Sequence, residues 1–289
     1  MKKNNIIALC VALAFCIVSF IDRNIYIFAI PKMGKMPAVT EKLQETFTTR
    51  PCYMLGTNKN LRGKISVYVF FIDDDNSSWD EESVSIYMKS AVRYGLRFLE
   101  NQASFYGVEL EFSVQYYAST MPEYSDKLKY KGSVINGVND IYSDDVMDKI
   151  ADNFGYSGED ALYKAYRAQD DGDEIIFATV LNKPGRSFGL MQVVDSGVDS
   201  VEFAVLFVNY LWEDIPIRRN WHLYSTFAHE IMHLYGAIDI YEDDEIKEYS
   251  LYKYPQDIML LKTRVLGILN VSEFTAYSVG WTDSPPRLE

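Results

Sequence analysis

Residues 65–72, Ile-Ser-Val-Tyr-Val-Phe-Phe-Ile, form an almost unbroken β-branched and aromatic run, and this run constrains the fold more than any other stretch. A strand with one wet face alternates polar and apolar positions. A strand this apolar needs cover on both faces, as in the centre of a mostly parallel sheet flanked by helices. The residues that follow agree. Ser78 and Glu81 have the spacing of a capping box, and Val84, Tyr87, Met88, Ala91, Phe98 and Leu99 recur at helical intervals toward Tyr106, after which Gly107 breaks the pattern. Residues 108–116 then alternate with period two, as expected of a strand wet on one side. Strand, long helix and strand make a β-α-β unit, which implies a parallel pair and a right-handed crossover.

Further on, residues 144–154 and 157–169 carry helical patterns separated by Gly155 and look like an insertion. An acidic turn, Asp170-Asp171-Gly172-Asp173, precedes an apolar strand at 175–181 and reads as a solvated loop. Pro184-Gly185-Arg186 turns the chain into a short edge segment at 189–194, and residues 201–208 are another buried strand. Leu223, Phe227, Ile231 and Leu234 then mark one face of an amphipathic helix.

That helix holds two of the three histidines in the chain, His229 and His233, with Glu230 beside the first. One helical turn apart, both imidazoles can reach a single Zn2+, and the adjoining carboxylate can take a proton from a water on the metal. Gly236 suits the left-handed turn that ends a helix, after which Asp239 can swing back as a third, carboxylate ligand. Glu242 is the rival for that place, while Asp243, Asp244 and Glu245 read as a solvated face. His222, near the helix start, reads as a capping or packing residue.

The series His229, Glu230, His233, Gly236, Asp239 resembles the extended H-E-x-x-H-x-x-G-x-x-H motif of the metzincin zinc endopeptidases, in the form with Asp in the last place found in the snapalysin-like subgroup. Gln256-Asp257-Ile258-Met259 looks like the methionine turn that metzincins place beneath the metal, with Met259 as its methionine, and residues 272–279 have the character of their C-terminal helix. The order of elements from residue 65 to 236 also resembles theirs. The resemblance spans residues 64–283 and implies an α/β (α+β) zincin-type catalytic domain. Its twisted, mostly parallel five-stranded sheet and active-site helix would occupy residues 64–236, and a small C-terminal subdomain with Met-turn and helix residues 237–289. It implies Zn2+ as cofactor, His229, His233 and Asp239 as ligands, Glu230 as the catalytic base, and a protein or peptide as substrate, bound as an added strand along residues 189–194. There are departures: the third histidine is missing, and Leu261 stands where some metzincins carry a tyrosine.

Composition bears on compartment and partners. A net charge of −13 with a sequence pI near 4.8 argues against nucleic acid as a partner. Lys2 and Lys3 precede an apolar run at 6–21, so residues 1–30 read as a secretory signal or an uncleaved membrane anchor, and residues 31–63 as a linker or short pro-region. Cys10 and Cys16 fall in the first segment. Cys52 is then the sole thiol of the exported part, which excludes an intramolecular disulfide framework there and leaves either an incidental thiol or one that masks the metal in a latent enzyme. The expectation is an extracytoplasmic zinc endopeptidase, secreted or anchored on the outer face of the cytoplasmic membrane through its N-terminal segment, and a monomer. Two alternatives remain: a non-catalytic surface protein of the same fold with structural zinc, which binds a partner through its acidic, tyrosine-rich surface, and a zincin of another lineage with a glutamate as third ligand.

Overall fold

The computed structural model describes residues 36–49, 56–134, 145–191, 201–209, 222–260 and 266–288. Residues 1–30, expected to be a signal or anchor, Cys52, Leu261 and positions 192–194 of the expected edge segment lie outside the described residues. Among the described residues no helix is long and apolar enough to cross a membrane.

A five-stranded sheet occupies the centre, in the order β2-β1-β3-β5-β4. Strands β1 (Gly63–Ile72), β2 (Leu110–Ala118), β3 (Glu174–Pro184) and β5 (Phe203–Asn209) run parallel, and the three-residue β4 (Phe188–Leu190) lies antiparallel to β5 at the edge. The apolar run of β1 is explained by its place between β2 and β3. Ile65, Val67, Val69 and Phe71 face one core, while Tyr68, Phe70 and Ile72 face a second core on the other side. Strands β3 and β5 divide in the same way. Ile176, Ala178, Val180, Ala204, Leu206 and Val208 point to the first core, and Ile175, Phe177, Leu181, Phe203, Val205 and Phe207 to the second.

The first core is covered by α2 (Glu81–Tyr87), α3 (Arg93–Phe105) and α6 (His222–His233). The long helix expected from residue 78 onward is capped by Asp80, which accepts from Ser83 N at 2.8 Å, and not by Ser78. It is also interrupted between α2 and α3 by a π-helical turn, Met88–Val92, that packs on α6. Helices α3 and α6 cross in close contact because Gly95 lacks a side chain. A Cβ there would sit 3.0 Å from Tyr224 O and 3.3 Å from Ala228 N. The inserted helices α4 (Val146–Asn153) and α5 (Glu159–Arg167) cover the second core, close to the boundaries read from the sequence.

The segment 31–63, expected as linker or pro-region, contains part of the folded unit, which extends from Pro37 onward. Helix α1 (Glu41–Thr48) is capped by Thr40 and buries Leu43 and Phe47 completely, one turn apart on one face. The Phe47 ring lies 4.3 Å from Phe274 and 5.3 Å from Tyr249, centroid to centroid. Tyr249 belongs to α7 (Asp244–Lys253), a helix not anticipated because its acidic start read as a solvated face. Asp243 is its N-cap, accepting from Glu245 N at 3.0 Å and Ile246 N at 3.1 Å. Phe274 belongs to the last helix, α8 (Glu273–Ser278), which Ser272 caps. Phe47→Ala is therefore expected to cost about 3–5 kcal/mol, seen as a lower urea midpoint with an unchanged m-value; a midpoint equal to that of the native chain would return α1 to the status of a linker.

Candidate metal centre

Helix α6 is buried nearly all round, more than an amphipathic pattern implies. Phe227, Ala228, Ile231 and Met232 are fully buried, and His229 and Glu230 retain only 7% and 5% exposure. Beyond the last residue of the helix, His233, the chain turns at Gly236, whose φ of 92° is left-handed. Gly236 N donates to His233 O at 3.0 Å and Ala237 N to Met232 O at 3.1 Å, so the chain reverses within one turn. This reversal returns Asp239 to the two imidazoles.

The geometry there is that of a ligand set. His229 Nδ1 donates to Ile258 O at 3.1 Å and His233 Nδ1 to Ala237 O at 2.7 Å. A carbonyl oxygen only accepts, so each Nδ1 carries a hydrogen, and each ring when neutral presents its Nε2 lone pair. The two Nε2 atoms are 3.1 Å apart, and Asp239 Oδ1 lies 3.1 Å from the first and 3.4 Å from the second. Tetrahedral Zn2+ with bonds of about 2.0–2.1 Å holds its ligand atoms roughly 3.3–3.4 Å apart. The triangle fits such an ion, and His229, His233 and Asp239 form a group able to hold a metal.

Three lone-pair donors this close repel one another unless positive charge lies among them. The titration behaviour expresses that need. Burial alone would lower the His229 pKa, but the hydrogen bond to Asp239 and the negative charge of Glu230 outweigh it and raise it to about 9. Burial pushes Asp239 upward, yet the two histidines hold its carboxyl far below the usual range. Glu230 is raised, by burial first, against the opposing pull of both histidines. Its Oε2 lies 4.0 Å from His233 Nε2. A buried carboxylate of raised pKa beside a ligand set is suited to accepting a proton.

Several residues of the site escaped the sequence reading. Tyr241 Oη donates to Asp239 Oδ2 at 2.5 Å, and its ring lies nearly parallel to that of His229, at 14°. Arg186, in the turn between β3 and β4, places Nη2 3.7 Å from Asp239 Oδ2 and 3.0 Å from Glu242 Oε1. Tyr241 could have been found from its place two residues beyond Asp239, which puts it near the same carboxylate. Arg186 carried no such signal, because only the sheet brings it near. Glu242, the rival ligand, is directed to Arg186 with its side chain 58% exposed, and does not join the group. His222 is the first residue of α6.

Met259 is fully buried in the turn after α7, in a segment directly tied to the site because Ile258 O receives His229 Nδ1. Asp257 organises this turn. Its buried carboxylate accepts from Met259 N at 2.6 Å, Ser272 N at 2.8 Å and Thr275 Oγ1 at 2.8 Å, joining the turn to the start of α8. Asp257→Ala should cost about 1–3 kcal/mol for each buried donor it strands, measured by denaturant unfolding.

The edge strand touches the helix backbone itself. A Cβ on Gly189 would sit 2.7 Å from Glu230 O and 2.7 Å from His233 Cβ. Glycine at this position is what lets β4 run against α6 beside the candidate ligands. No protein-family model matches this chain, and no curated protein matches it at a significant level. The geometry therefore carries the functional argument. Gly189→Ala must push β4 from α6 and is expected to cost about 1–3 kcal/mol; a thermal midpoint unchanged from the native chain would show that the contact yields freely.

Proposed function

We propose that this chain is a zinc-dependent endopeptidase of the metzincin type, acting outside the cytoplasm. The observation that carries the proposal is the convergence of His229 Nε2, His233 Nε2 and Asp239 Oδ1, with the buried carboxylate of Glu230 on the same helix turn. A structural site has no use for an acidic group of raised pKa at that point. The order of elements, with a β-α-β unit, an antiparallel edge strand and a helix carrying the ligands, supports the metzincin reading, as does the buried Met259 in a turn bonded to His229.

A Zn2+ held by His229, His233 and Asp239 would supply Lewis acidity and a water whose pKa falls toward neutral. The remaining steps belong to the chain. Glu230 accepts the proton of the attacking water and returns it to the leaving amine, in the role of general base and then general acid. The Nδ1–H bonds from His229 and His233 to backbone carbonyls fix both rings, so their Nε2 atoms keep one direction through the cycle. Strand β4, antiparallel to β5 and in contact with α6, offers its outer edge to an extended peptide and aligns the scissile bond with Glu230.

Glu230→Gln tests the reading. It should keep about one Zn2+ per chain and lose hydrolysis of a denatured protein by about 10²–10⁴-fold. Undiminished cleavage by this variant would falsify the assignment, and zinc binding without chelator-sensitive cleavage by the native chain would favour a non-catalytic binding protein.

A further inference from the structure

We propose that Arg186 is a positioning residue that determines which carboxylate completes the metal group, by holding Glu242 away from it and leaving Asp239 to bind through one oxygen. The proposal rests on the metallopeptidase reading above. It starts from a competition that the chain builds into itself. Asp239 and Glu242 are the ends of one turn, closed by Glu242 N donating to Asp239 O at 3.4 Å. Both are carboxylates, at the two ends of that turn, and either type is a legitimate ligand for a divalent cation. If both bound, or if one bound through both oxygens, the position that catalysis keeps open would be filled.

One nitrogen of Arg186 lies nearer to Glu242 than to Asp239. Arg186 Nη2 lies 3.0 Å from Glu242 Oε1 and 3.7 Å from Asp239 Oδ2. Tyr241 Oη holds the same Oδ2 at 2.5 Å, so only Oδ1 faces the imidazoles. Glu242 would gain from approaching a cation, and Arg186 supplies a competing positive partner 3.0 Å from its Oε1. Guanidinium suits this task because its planar fork fixes direction as well as charge. Its anchorage is equally defined. Arg186 lies in the turn that feeds β4, and Gly189 presses that strand against the backbone of α6. The guanidinium is thus located by the same contact that positions the edge strand, although its side chain is 49% exposed.

Cobalt(II) is the probe, because four-coordinate Co2+ absorbs strongly in the visible and ions of higher coordination absorb weakly. The native chain loaded with Co2+ should show strong bands. Arg186→Ala should bind Co2+ at least as tightly in competition with a chelator, with weakened bands and a kcat for peptide hydrolysis reduced at least about tenfold. Adding Glu242→Gln to that variant should restore the bands and part of kcat. Rescue by a second substitution is not expected of a merely structural arginine. Strong bands in Arg186→Ala, or weak bands that Glu242→Gln fails to restore, overturn this proposal alone. A native chain that binds neither Co2+ nor Zn2+ overturns the metallopeptidase reading and this proposal with it.

Discussion

The close approach of three lone pairs at the end of a buried helix is the condition on which the rest of the candidate site depends. In water His229, His233 and Asp239 would each be solvated separately. At the end of α6 and in the turn after it, with apolar residues on nearly every side, they have one another and a few backbone carbonyls. Removing such groups from water costs several kcal/mol per charge unless a partner compensates. The fold supplies that compensation in layers: carbonyls for each Nδ1, Tyr241 for the outer oxygen of Asp239, and Arg186 for the excess negative charge.

The burial follows from the sheet. Because β1, β3 and β5 are apolar on both faces, the chain must place helices on both sides, and the side that receives α3 and α6 becomes the larger core. Gly95 lets the two helices cross in contact, and Gly189 brings the edge strand against α6 from another direction. Two residues without side chains thus determine how closely α6 is enclosed. Enclosure raises the Glu230 pKa, and with it the capacity of that carboxylate to hold a proton.

Much of this was legible along the chain because periodicity reports burial directly. The apolar run of β1, the alternation in β2 and the spacing of His229, Glu230 and His233 each reflect a local geometric rule. Elements stabilised by partners distant in sequence were not legible. Helix α1 is short and polar except for Leu43 and Phe47, whose significance appears only when Phe274 and Tyr249 are seen against them. Four successive acidic residues, Glu242 to Glu245, span the start of helix α7, and its identity as a helix rests on Asp243 turning back to cap it. Arg186 is the clearest case at the site, since nothing near it in sequence hints at a carboxylate on the far side of the sheet edge. Asp257 was legible as a residue of its turn but not as a partner, and Tyr241 was not read from the sequence at all.

Asp257 shows why the C-terminal part cannot be treated as an appendage to the sheet. Its buried carboxylate is pushed upward in pKa by burial and held in place by Ser272, Thr275 and the backbone of Met259. Those bonds define the position of Ile258 O, the acceptor for His229 Nδ1. An imidazole whose Nδ1–H is fixed cannot rotate its Nε2 away from Asp239 without stranding a buried donor. The direction of the first histidine is therefore set from the start of α8, through one carboxylate and one turn, while the direction of the second is set by Ala237 O, just past the turn that follows α6. Two independent backbone anchors on two rings leave Asp239 as the adjustable member of the group, which is the member that Tyr241 and Arg186 constrain.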